Sequence, residues 1–131
     1  MTELFSGGPD LNTAPVAGKH ALVVGLGRSG MAAADGLLSA GARVTVVDDR
    51  DDEQTRDSAQ LLRTLGAELI LGPGATAGLP AGIDLVVTSP GLRPSAGVLA
   101  QALAAGTPIW SEVELAWQLS AVHLPAAERT P

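Results

Sequence analysis

The chain has 131 residues, 14 acidic against 8 basic side chains, a formal net charge of -6, and hydrophobic residues at 46% of positions with only 2% aromatic. That composition suits one globular domain and offers neither a basic footprint nor aromatic platforms for nucleic acid. The absence of cysteine excludes disulfides, thiol nucleophiles and zinc-thiolate sites, and two isolated histidines, His20 and His123, do not make an all-protein metal site.

In chain order, the first 17 residues are rich in Gly, Pro, Thr, Asn and Ser without periodicity and read as a flexible extension. They carry Glu3 and Asp10, no basic residue and no apolar stretch of the kind a secretory signal needs. Regular structure is predicted from Lys19 onward. Strands are expected at residues 21–24, 43–47, 68–71, 85–88 and 108–110. Helices are expected at residues 29–40, 53–65, 95–105 and 111–120, with a Gly/Pro loop at 72–82. No apolar run approaches the roughly 20 residues that span a bilayer, so a cytoplasmic chain with no membrane partner is expected.

Spacing supports the helices: Met31, Ala34, Leu37 and Leu38 share one face, as do Leu61, Leu62 and Leu65, and Val98, Leu99, Ala102 and Leu103. Gly41, Gly66 and Gly106 each follow a helix and lead directly into a strand, where a left-handed residue closes the helix. The run Ser111-Glu112-Val113-Glu114 is a capping box opening the last helix. Trp110 and Trp117 are expected to anchor that helix to the sheet rather than to stack a base. Strands that are nearly continuous Val, Leu and Ile belong to a parallel sheet covered on both faces. With right-handed crossovers, the result is an α/β, Rossmann-like, doubly wound sheet of five strands in the order 3-2-1-4-5.

Ligands of such sheets bind beyond the carboxyl ends of the strands, where the winding reverses. Three loops therefore matter. In Gly25-Leu26-Gly27-Arg28-Ser29-Gly30, Gly25 permits the turn, Gly27 admits ligand oxygens to the backbone, and Gly30 lets the helix pack on the sheet. The free N–H groups and positive end of the helix dipole suit a phosphate, with Arg28 and Ser29 adding donors; the bland alternative is a tight βα turn. Asp48 stands 18 residues beyond Gly30, where dinucleotide sites place the acid that accepts ribose hydroxyls. Its neighbour Asp49 makes this loop unfavourable for a diphosphate, so it suits the nucleoside end of a ligand. Two readings fit Arg50, a phosphate contact or a balance to its acidic neighbours, whereas Asp51, Asp52 and Glu53 read as the cap of the next helix. In the third loop, Ser89, Pro90 and Gly91 follow strand four, either as a pocket wall or as an ordinary strand-ending turn. No nucleophile-base pair emerges, and neither histidine is expected near the crevice.

Taken in order, G-L-G-R-S-G, V-D-D-R, T-S-P-G-L and S-E-V-E-L resemble the N-terminal domain of the Mur ligases, and among them the enzymes that add D-glutamate to UDP-N-acetylmuramoyl-L-alanine. The resemblance covers residue 18 to about residue 119 and implies a Rossmann-like module, residues 18–120, that holds UDP. By motif, Gly25, Gly27, Arg28, Ser29 and Gly30 would bind the diphosphate, Asp48, Asp49 and Arg50 would lie at the uridine, and Ser89, Pro90 and Gly91 would close the pocket. The family often has Thr, Ser or Asn where this chain has Asp49. In the whole enzyme the resemblance implies ATP and Mg2+, with phosphorylation of the substrate carboxyl and attack by the D-glutamate amine. The only lysine here is Lys19, between Gly18 and His20, so no P-loop is present; residues 121–131 read as a linker toward an absent ATP-binding domain, and an inactive fragment without cofactor of its own is expected. The glycine loop and Asp48 alone fit the NAD-binding domain of a dehydrogenase equally well, and a non-catalytic nucleotide-sensing module is a third reading.

Overall fold

Apolar runs too short to be buried alone are assembled into one sheet. The computed structural model describes residues 16–88 and 97–122. Its elements are β1 (His20–Val24), α1 (Arg28–Ser39), β2 (Arg43–Asp48), α2 (Glu53–Thr64), β3 (Glu68–Leu71), β4 (Leu85–Thr88), α3 (Gly97–Ala105), β5 (Ile109–Ser111) and α4 (Glu112–Val122). All four strand pairs are parallel, in the expected order β3-β2-β1-β4-β5. The switch of winding falls between β1 and β4, where Val24 is in register with Thr88.

Alternate residues of the central strands feed two cores. Ala21, Val23, Val44, Val46, Leu85 and Val87 pack with Ala34 and Leu37 of α1, Ala59 and Leu62 of α2, and Leu115 of α4. Leu22, Val24, Val47 and Val86 pack on the other face with Val98, Leu99 and Ala102 of α3. Each large aliphatic side chain taken fully from water contributes about 1.5–3 kcal/mol, so the three central strands, buried on both faces, hold the sheet together. The long β3–β4 connection crosses the α3 face without a helix; Ala75 and Leu79 stand in for one by packing on that core.

Several expectations need correction. Residues 16 and 17 are not part of a free extension: Val16 is fully buried in the larger core, and its carbonyl accepts the Lys19 N–H. The remaining residues of that extension, 1–15, and most of the expected linker, 123–131, lie outside the described residues. Leu61 and Leu65 are more than half exposed, because α2 covers the sheet with Thr55, Ala59 and Leu62 instead. Leu103 is likewise exposed, since the short α3 needs only Val98, Leu99 and Ala102 to cover its side. Trp110 packs on the core, but Trp117 is exposed, so only one tryptophan anchors α4. Gly41, Gly66 and Gly106 do adopt positive φ after their helices. The capping box is half made: Ser111 Oγ accepts the Glu114 N–H at 3.0 Å, while the Glu114 carboxylate turns to Gln118.

Candidate functional site

The carboxyl ends of β1 and β2 deliver two loops to one cavity of about 350 Å3. Gly25, Gly27, Arg28, Ser29, Gly30, Asp48, Asp49 and Arg50 all line it, joined by Val24 and by Thr76, which the sequence reading did not single out. Ser89, Pro90 and Gly91 lie outside the described residues. His20 sits at the other end of β1, where its Nε2 is 2.8 Å from Thr45 Oγ1. Because the Thr45 hydroxyl gives its one hydrogen to Glu68, the imidazole is the donor in that pair.

The glycines of the first loop do different work. Gly25 turns the chain at φ +102. A Cβ on Gly30 would lie 2.0 Å from the Gly25 carbonyl oxygen, so glycine is what lets α1 start this close to the strand. A Cβ on Gly27 would meet no atom within 4 Å; it would project into open space beside the cavity. Gly27 is also the N-cap of α1, in extended conformation, with no side chain capping the helix and no acid in its first turn. The first intrahelical bond is Met31 N–H to Gly27 O, so the N–H groups of residues 28–30 have no acceptor within the helix. An uncapped helix start with positive dipole potential and arginines at its rim is a place for an anion.

Asp48 is 5% exposed, and its carboxylate is saturated. Oδ2 accepts the Leu26 N–H at 2.7 Å and Arg50 Nη2 at 2.7 Å. Oδ1 accepts the Arg50 backbone N–H at 2.8 Å and Arg50 Nε at 3.1 Å. Burial alone would push this carboxyl up; the Arg50 hydrogen bonds, the Leu26 N–H and the guanidinium charge outweigh it and hold the group below the usual carboxylate range. Asp48 therefore clips the glycine loop to the β2–α2 loop, and its acceptor positions are not available to ribose hydroxyls. Arg50 neutralises Asp48, and it also borders the cavity and a second one of about 370 Å3 that Arg28 lines as well.

Asp49 is fixed from another direction. Its Oδ1 accepts the Thr76 N–H at 2.9 Å and its Oδ2 the Thr76 hydroxyl at 2.8 Å. At the next helix, Asp52 takes the N-cap and accepts the Thr55 N–H at 2.8 Å, as expected of an acidic helix start. The Thr76 contact spans 27 residues, and a threonine inside a Gly/Pro-rich loop carries no local signal of it.

A doubly wound parallel sheet with an uncapped glycine-loop helix at its switch point defines the class, a Rossmann-like domain with a crevice at the carboxyl ends of its strands. Residues 19–111 match the family model of the Mur ligase MurD-like N-terminal domain, and the chain belongs to that family. A UDP-N-acetylmuramoylalanine--D-glutamate ligase of Thermobifida fusca is 54% identical over 102 residues, and one of Streptomyces coelicolor is 48% identical over 106. These alignments cover 78% and 81% of this chain; in both cases the chain spans only 22% of the relative's length. Among solved structures, the UDP-N-acetylmuramate-alanine ligase of Thermotoga maritima superposes with a TM-score of 0.60 at 23% identity, covering 76% of this chain and 22% of that one. That likeness is one of fold.

Proposed function

We propose that this domain holds the UDP part of UDP-N-acetylmuramoyl-L-alanine for an ATP-dependent ligase that adds D-glutamate to it in peptidoglycan synthesis. One observation carries the reading: the uncapped start of α1 opens on the cavity beside an acid already spent inside the chain. A diphosphate there meets backbone N–H groups, Arg28 and Arg50, while the charge of Asp48 is offset by Arg50. The uridine then lies along the Asp48-Asp49-Arg50 loop. A nicotinamide-dinucleotide domain needs the acid after β2 to accept from ribose hydroxyls, and the four bonds that Asp48 accepts oppose that reading.

On this proposal the domain contributes orientation. Binding energy from the remote UDP handle positions the muramoyl carboxyl, which is where the chemistry of the whole enzyme takes place. With Lys19 as its only lysine, this chain has no P-loop to hold the ATP phosphates; ATP, Mg2+ and D-glutamate would be bound by other parts of the ligase.

Calorimetry on the 131-residue chain with UDP, UDP-N-acetylmuramoyl-L-alanine and NAD tests the reading. Saturable binding of both uridine nucleotides and none of NAD is expected. Binding of NAD with neither uridine ligand overturns it.

A further inference from the structure

Both acids facing the crevice are engaged, but by different partners. Asp48 has a guanidinium, whereas among the described residues Asp49 has only the N–H and hydroxyl of Thr76. Thr76 is itself firmly seated. Its carbonyl accepts the Val98 N–H at 3.0 Å, and three residues on, the Leu79 N–H is taken by Gln101 Oε1 at 2.8 Å. Gly97 makes this seat possible, since a Cβ there would lie 2.2 Å from the Ala77 carbonyl oxygen. Through Thr76 the start of α3 thus bears on the β2–α2 loop, and the clasp ties together segments that pack on opposite sides of the switch in winding.

We propose that Thr76 is a positioning residue for the nucleotide, acting through Asp49. Resting on the UDP reading above, the inference is that the clasp holds the Asp49 carboxylate against the β3–β4 segment, which keeps an uncompensated negative charge from turning toward the diphosphate. It also keeps the nucleoside end of the cavity in shape. A phosphate-rich ligand should feel its loss more than a phosphate-poor one, because like charges in a partly enclosed site repel strongly.

The test uses the full chain and follows UDP and UMP binding by NMR titration, with melting temperature as the control for folding. Thr76→Val keeps the size and the backbone N–H but removes the hydroxyl, and is expected to weaken UDP by about tenfold and UMP by less. Thr76→Ser should restore UDP affinity. Adding Asp49→Asn to Thr76→Val should restore most of it too, because the repelling charge is gone; a purely structural threonine would not be rescued this way. Hydrogen exchange without nucleotide reads the clasp itself, and the Thr76 amide is expected to be protected in the wild-type chain and exposed in Asp49→Ala. Wild-type chain that binds UDP alongside a Thr76→Val variant that binds it equally well overturns the positioning role and leaves the UDP reading standing. An unprotected Thr76 amide overturns the positioning role as well. A chain with a protected Thr76 amide that binds no UDP overturns the functional reading and the positioning role with it.

Discussion

The helices that follow β1 and β2 both begin at the carboxyl edge of the sheet, and their starts are opposites. α1 opens at Gly27 with no side-chain cap and no acid in its first turn. α2 opens at Asp52, whose carboxylate accepts the Thr55 N–H, with Glu53 following. The hydrogen bond from Thr55 holds the Asp52 carboxyl below its usual range, so the cap stays charged. Both helices have the same kind of dipole and the same kind of unsatisfied N–H groups, but α2 answers one of them with the Asp52 carboxylate and adds Glu53, whereas α1 has no side-chain cap. A helix start stays open to an anion where the chain withholds a cap from it. Asp48 joins the two, since it grips Leu26 ahead of α1 and Arg50 ahead of α2.

The largest effect is expected where that link is cut. Asp48→Ala removes the acceptor of two backbone N–H groups and leaves the Arg50 guanidinium without its buried partner, which should cost about 2–4 kcal/mol in denaturant unfolding and abolish UDP binding. Gly30→Ala should follow at about 1–3 kcal/mol, because the new Cβ collides with the Gly25 carbonyl rather than with a yielding side chain. Gly27→Val sharpens the contrast within one loop. Its side chain enters open space, so melting should shift by a few degrees at most while UDP affinity, read by calorimetry, falls by roughly tenfold or more. Full affinity in that variant would place the phosphate elsewhere.

Acid should act through the same link. The folded-state pKa of Asp48 is depressed, so its contribution to stability is complete above the unfolded value of about 3.9 and is lost as pH falls through the lower folded value. Chemical denaturation across this acid range should show stability declining, and the decline should be shallower in Asp48→Asn. The smallest effect is reserved for the sealed helix: Asp52→Ala should lower the melting temperature by a few degrees and leave UDP affinity unchanged. A large loss of affinity there would mean that α2 also serves the ligand.

Much of this was legible in the residues. Strand order followed from βα alternation, near-continuous apolar strands and the handedness of crossovers, all of which depend on short-range pattern. The glycine loop was legible for the same reason, as was the Asp52 cap. Helix faces were read less well: spacing grouped Leu61 and Leu65 with Leu62, and Leu103 with Leu99, but a helix lying on one face of a sheet buries a narrower stripe than apolar spacing suggests. Val16 was missed because one apolar residue in a polar run has no periodicity to mark it. Asp48 was correctly brought to the crevice, yet its spacing from the glycine loop suggested ribose as its partner, where the fold supplies Leu26 and Arg50.

What the sequence determined by itself was the architecture and the glycine loop that opens α1, because periodicity, glycine placement and capping chemistry are local and survive without knowledge of neighbours. Only the tertiary structure decided the electrostatics of the crevice. Whether a carboxylate repels a ligand or organises its site depends on donors brought from elsewhere in the fold, here the N–H of Leu26 across 22 residues and the hydroxyl of Thr76 across 27.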